Sequence, residues 1–159
     1  MRLRITIIAI LIGCFASAQN LSCKDFKKGK FYIPVENEKD TLFVYKSKEN
    51  TTEKIVVDAE KDLKMYTAHR KLNSQIEWKN EANSGNPTYE TIEWINDCDY
   101  VLLKDEKKDE LNEEDIFIND NGGLVIEKVE IIGRCMKFKS TLRMKDGNEI
   151  FAFGKICKE

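Results

Sequence analysis

The most reactive side chains in this sequence are its cysteines: Cys23, Cys98, Cys135 and Cys157 along the body of the chain, and Cys14 in an apolar N-terminal run. Thiols ligate metals, exchange electrons or pair as staples, and spacing separates these roles. No Cys-x-x-Cys occurs, so neither zinc-knuckle nor thioredoxin-type spacing is present. Asp146 lies midway between Cys135 and Cys157. Take Lys145-Asp146-Gly147 as a three-residue hairpin loop with Gly147 in the left-handed position of a bulge. Met144 then faces Asn148 and, counting outward, Cys135 faces Cys157. Directly opposed β-carbons sit about 4.5–5.5 Å apart, close to the roughly 3.5–4.5 Å that a disulfide needs. The same register divides the hairpin cleanly. Met136/Ile156, Phe138/Gly154, Ser140/Ala152 and Leu142/Ile150 make an apolar face with an aromatic over a glycine. Lys137/Lys155, Lys139/Phe153, Thr141/Phe151 and Arg143/Glu149 make a mixed one. A slip of one residue would scramble both faces. The spacing therefore predicts a Cys135–Cys157 staple, and elimination leaves Cys23 with Cys98.

Other chemistry is sparse. His69 is the single histidine, with no second ligand at metal spacing and no Gly-x-Ser-x-Gly elsewhere to partner it. The acidic pairs Asp105/Glu106, Asp109/Glu110 and Glu113/Glu114 are chain neighbours, whereas glycoside hydrolysis needs carboxylates facing each other across a cleft. Asn119-Asp120-Asn121-Gly122 hints at calcium, but Gly122 as the sixth loop residue puts Phe117 first and Lys128 twelfth, both wrong for an EF-hand. No catalytic residue, metal site or cofactor is therefore expected, and the protein reads as a non-enzyme. Trp78, Trp94, Tyr66, Tyr89 and Tyr100 fall in strand-like segments, where they are core residues or the lining of a cavity for a small apolar ligand.

These cysteines need an oxidising compartment. Residues 1–18 supply the means of reaching one. Arg2 and Arg4 precede an apolar run from Ile5 to Phe15, too short to span a bilayer, and Ala16-Ser17-Ala18 is a small-x-small cleavage site. The expected product is a periplasmic or secreted chain beginning at Gln19. Leu11-Ile12-Gly13-Cys14 also fits a lipoprotein box, and acylation at Cys14 would make an outer-membrane lipoprotein, the one route to a membrane here. Lysine and arginine number 26 against 28 acidic residues, interspersed without a basic cluster, which argues against nucleic acid as a partner. The expected partners are a small apolar ligand or a protein of the envelope or the secreted pool.

Short β-rich runs separated by turn signals must position these groups. Phe31 to Ile33 precedes Pro34. Thr41 to Tyr45 and Lys54 to Val57 read as a hairpin. Leu63 to Arg70 and Ser74 to Lys79 flank Leu72-Asn73, and Thr88 to Ile95 and Cys98 to Leu103 flank Asn96-Asp97. Leu124 to Ile131 leads into the stapled hairpin. One helix interrupts them at about 113–120, with Asn112 as N-cap, acids in its first turn and Gly122-Gly123 as its stop. The expected fold is all-β with one short helix. It is an antiparallel meander of about nine or ten strands in a single domain over residues 19–159, closed as a lipocalin-like barrel or doubled over as a β-sandwich.

Two motifs carry a resemblance over most of this domain. Cys23-Lys24-Asp25-Phe26-Lys27-Lys28-Gly29-Lys30-Phe31 and Trp94-Ile95-Asn96-Asp97-Cys98-Asp99-Tyr100-Val101-Leu102 resemble a group of small exported Bacteroidota-type proteins with Cys-x-x-Phe-Lys-x-Gly-x-Phe and Trp-x-x-x-Cys-x-Tyr-x-Leu. The resemblance implies a shared Cys23–Cys98 pair and an inserted hairpin at about 37–62. It implies no activity. The DNA topoisomerase name that such chains sometimes carry finds no support in this short, non-basic sequence.

Overall fold

A computed structural model describes residues 21–34, 39–58, 65–78 and 86–159. The predicted leader, its cleavage site and Cys14 lie outside these residues. Among them, ten strands and one α-helix form: β1 (Gly29–Pro34), β2 (Lys39–Lys46), β3 (Thr51–Asp58), β4 (Met65–Lys71), β5 (Ser74–Trp78), β6 (Thr88–Trp94), β7 (Tyr100–Lys104), α1 (Glu113–Asp120), β8 (Leu124–Ile132), β9 (Cys135–Arg143) and β10 (Glu149–Lys158).

The sheet closes. Its order runs β1-β4-β5-β6-β7-β8-β9-β10, and β10 returns to β1 through Phe31↔Lys158 and Tyr32↔Cys157. This eight-stranded antiparallel barrel is the lipocalin-like alternative of the two expected. The ten strands are not one meander, however. β2 and β3 leave the barrel as a hairpin that pairs only at the start of β10, Phe43 to Tyr45 against Phe151 to Glu149. β10 thus borders β2 at one end and β1 at the other. The hairpin occupies the predicted insertion, and the flanks of that insertion lie outside the described residues.

The β9–β10 register is the one the sequence predicts, from Glu149↔Arg143 to Cys157↔Cys135. Gly147 takes φ +88°, and Met144 N–H donates to the Asn148 carbonyl at 2.8 Å across the loop. On β8 a bulge at Val129 admits one extra residue, so that Ile131 and not Glu130 meets Met136 on the inner face. Inward side chains Phe31, Ala68, Ile92, Tyr100, Ile126, Met136 and Ile156 make the core.

One end of the barrel has a floor. A 3-10 turn at Cys23–Phe26 inserts Phe26, which is 1% exposed and stacks on Phe31 at 5.9 Å between ring centres. Burying one such phenyl ring contributes about 2–3 kcal/mol. Ser22 N–H and Oγ both donate to Asp25 Oδ2, at 2.8 and 2.9 Å, which fixes the entry to the turn. The Cys23–Cys98 disulfide ties the turn to the β6–β7 loop. At the opposite, upper end stands α1, capped by Asn112, whose Oδ1 accepts from Asp115 N–H at 2.9 Å. The helix stops at Gly122 and Gly123, both at φ +85°, and a β-carbon on Gly123 would lie 2.7 Å from the Leu102 carbonyl oxygen.

Candidate functional site: the barrel interior

Strand alternation sends one set of side chains into the barrel, and their burial changes along its axis. Near the floor they are dry: Phe31, Arg70, Gln75, Ile92, Tyr100 and Ile156 are all buried. Toward the upper end most are only half-buried, although they still point inward, with Leu142 and Glu90 as buried exceptions. Tyr66, Leu102, Leu124, Phe138, Ile150 and Ala152 belong to this upper layer. The interior is thus packed below and partly reached by solvent above.

A polar ladder links the two layers. Arg70 donates through Nη1 to the Phe26 carbonyl at 3.0 Å, through Nε and Nη2 to Gln75 Oε1 at 2.8 and 2.6 Å, and through Nη2 to the Tyr100 hydroxyl at 2.8 Å. Its guanidinium lies 4.7 Å from the Tyr100 ring centre. Gln75 Nε2 donates to Glu90 Oε2 at 2.9 Å and to Glu77 Oε1 at 3.3 Å. Lys104 Nζ donates to Glu90 Oε1 at 3.0 Å and faces Asp115 of α1 at 3.8 Å. Glu90 is 2% exposed, so its charge depends on these partners. Burial alone would pull the Lys104 ammonium down, but Glu90, with Glu77 and Asp115, more than offsets this and holds it above the ordinary lysine value. Burial pushes the Tyr100 phenol up, against the lowering effect of Arg70.

The five aromatic residues picked out in the sequence do not line one cavity. Tyr66 faces the upper interior, Tyr100 is sealed in the core, and Trp94 packs on Tyr100 at the floor with its ring centres 5.0 Å apart. Trp78 and Tyr89 point outward, because the register Arg70↔Gln75↔Glu90 puts odd residues of β5 and even residues of β6 inside. Trp78 packs against His69 on that outer face at 4.9 Å, which gives the histidine an aromatic neighbour there. The residues of the apparent calcium motif cap secondary structure: Asn119 bonds both Lys104 N–H and its carbonyl, and Asn121 donates to the Phe117 carbonyl. Among the described residues no group of His, Cys, Asp and Glu is arranged to hold a metal, and no helix is long and apolar enough to cross a membrane.

Both disulfides form as paired in the sequence reading, Cys23–Cys98 at the floor and Cys135–Cys157 across β9–β10. They place the chain among proteins of oxidising compartments. The Arg70, Gln75, Glu77, Glu90 and Lys104 ladder was missed. The available signal is polar side chains in step with the apolar face, as in Tyr66-x-Ala68-x-Arg70 and Glu90-x-Ile92. Fold and site together define a disulfide-stapled, eight-stranded barrel domain with a two-layered interior. Comparison with known proteins finds no matching family model, no matching curated protein and no matching solved structure.

Proposed function

We propose that the protein is an exported, non-enzymatic binding barrel that holds a small, largely apolar molecule in the upper half of its interior. The observation that carries this reading is that most inward side chains of the upper half, Leu102, Leu124, Phe138, Ile150 and Ala152 among them, retain solvent contact above a floor that is dry and pinned, while Leu142 and Glu90 are buried there. An eight-stranded barrel is just wide enough for one small ligand when side chains do not fill it. The arginine-led leader and the two disulfides support export. Native mass spectrometry of the protein taken from its own envelope tests this: an added mass of a few hundred daltons, lost on unfolding, supports the reading. The bare chain at every collision energy, with the same chain refusing apolar dyes, contradicts it.

A second reading, an interaction module of the envelope or an inhibitor of a secreted enzyme, is favoured by a separate observation. Phe43, Phe151 and Phe153 cluster with ring centres 5.0–6.0 Å apart where the β2–β3 hairpin joins the barrel. Phe153 is 60% exposed. Under this reading, Phe153→Asp abolishes binding to a purified partner and leaves dye binding unchanged.

A further inference from the structure

Three hairpin connections meet at the floor end of the barrel, β4–β5, β6–β7 and β8–β9, and each carries one exposed aliphatic side chain beside its turn. Leu72 is 44% exposed, Ile95 58% and Ile132 55%. Hydrogen bonds tie the three turns into this end. Trp94 Nε1 donates to the Leu72 carbonyl at 2.6 Å, Ile95 N–H to the Asp99 carbonyl at 2.9 Å, and Lys158 N–H to the Arg134 carbonyl at 2.9 Å.

Cations surround these tips. Lys24, Lys28, Lys30, Lys71 and Arg134 are exposed, and none of them forms an ion pair with a described residue. The aspartates of the same end are engaged: Asp97 holds Lys27 at 3.1 Å, Asp25 accepts from Ser22, and Asp99 accepts from Asn96 and from Lys128 N–H. Exposed Glu93 and Glu159 stand against the five cations. Since the whole chain has 26 basic and 28 acidic residues, this excess is local, gathered by the fold from separate stretches of sequence.

The partner can be argued from these side chains. Four of the five cations are lysines, which protein–protein interfaces deplete. Such interfaces also concentrate their energy in a central aromatic or arginine anchor. Here the apolar tips stand on three separate turns, and the nearest aromatic, Trp94, is half-buried with Lys27 Nζ 4.8 Å from its ring centre. A lipid headgroup layer accepts several short apolar tips at once and attracts lysines through its phosphates. The chain also enters the barrel at this end, at Leu21, packed against the core. Cys14 of the lipoprotein box precedes Leu21 by a chain reach of about 25 Å at most, so an acyl anchor there would bring the same end to a membrane.

We propose that the floor end is a docking face for an anionic lipid surface. Leu72, Ile95 and Ile132 enter the headgroup layer, and Lys24, Lys28, Lys30, Lys71 and Arg134 face lipid phosphates. The inference is independent of what the upper interior holds.

The test is co-sedimentation of the processed chain beginning at Gln19, which carries no anchor, with two kinds of vesicle: phosphatidylcholine alone, and phosphatidylcholine with about one-third phosphatidylglycerol. The expected result is partition onto the anionic vesicles at least about tenfold stronger than onto the neutral ones, as two or more lysines near the surface supply. It should fade as salt rises from roughly 0.1 M to roughly 1 M. Lys28→Gln/Lys71→Gln should weaken partition about tenfold or more, and Leu72→Ser/Ile95→Ser/Ile132→Ser by a similar factor. The control pair Lys107→Gln/Lys145→Gln, exposed residues of the upper end, should leave it unchanged. Circular dichroism checks each fold, and the lysine pair decides the matter if the aliphatic triple does not fold. No partition onto anionic vesicles, or an equal loss from the control pair, overturns the docking face. Vesicles left unbound while polyglutamate binds, and is released by Lys28→Gln/Lys71→Gln, would make the partner an acidic protein and overturn the lipid assignment.

Discussion

The ring of Phe138 lies directly over Gly154: a β-carbon on that glycine would fall 2.6 Å from Phe138 Cζ. The two residues are opposed on neighbouring strands of the barrel wall. The glycine makes room for the ring, and the ring covers backbone that the glycine leaves bare. Gly154→Ala should therefore destabilise the fold by about 1–3 kcal/mol through overpacking. Phe138→Leu in that background should recover part of the loss. Urea denaturation of the single and double variants checks this, and additive losses would show that the two residues are not coupled.

The two disulfides should differ in what their removal does. Cys135–Cys157 closes a separation of 22 residues between strands already joined along their whole length. Its loss should lower stability by about 3 kcal/mol with the barrel otherwise intact. Cys23–Cys98 spans 75 residues and holds the floor. Replacing both of its cysteines should cost more, about 4 kcal/mol, and should also expose Trp94. Melting curves with tryptophan fluorescence separate the two cases. Equal spectra for both variants would mean that the floor stays seated without its disulfide.

Lys104→Met should destabilise the protein by about 3 kcal/mol, because Glu90 loses its cation while remaining buried. Adding Glu90→Gln should restore most of the loss. Since the Lys104 pKa is raised on folding, the pair's contribution is fully present below the ordinary lysine value of 10.5 and fades only as pH climbs through the higher folded value. The stability gap between wild type and variant should thus persist at neutral pH and close only in strong alkali. A gap that closed near neutrality would contradict the ladder.

Asp25 gives the opposite sign. Hydrogen bonds from the Ser22 backbone and hydroxyl hold its carboxyl below the ordinary value of 3.8. Its contribution is present above that value and is lost as pH falls through the folded one. Asp25→Asn should lower the melting temperature at neutral pH, and the difference from wild type should vanish in acid. A difference independent of pH would mean that the carboxylate charge does not hold the turn.

Much of this fold is legible in the sequence, and what is not has physical causes. The β9–β10 hairpin is readable because its loop glycine, its cysteines and its alternation all demand one register. The helix is readable from Asn112 and the Gly122-Gly123 stop. Closure is harder, because the ladder that joins the ends is short, Phe31↔Lys158 and Tyr32↔Cys157 with Glu159 N–H on the Lys30 carbonyl, and nothing local in β1 or β10 announces a pairing so distant along the chain. The branching of β2–β3 from β10 has the same cause. The polar ladder hides for another reason. Arg70, Gln75, Glu90 and Lys104 look like surface residues until the strand registers turn them inward together. Trp78 misleads in reverse, since the tight Leu72-Asn73 turn sets Arg70 against Gln75 and so puts Trp78 outside.

The account stands most directly on whether a small molecule enters the upper interior. Titration of N-phenylnaphthylamine into the wild-type protein and into Ala152→Phe, which grows a ring into that space, measures this. The account predicts saturable one-to-one binding by the wild type and loss of binding by the variant at an unchanged fold, checked by circular dichroism. Absence of saturable binding by the wild type, or equal binding by both proteins, would contradict it.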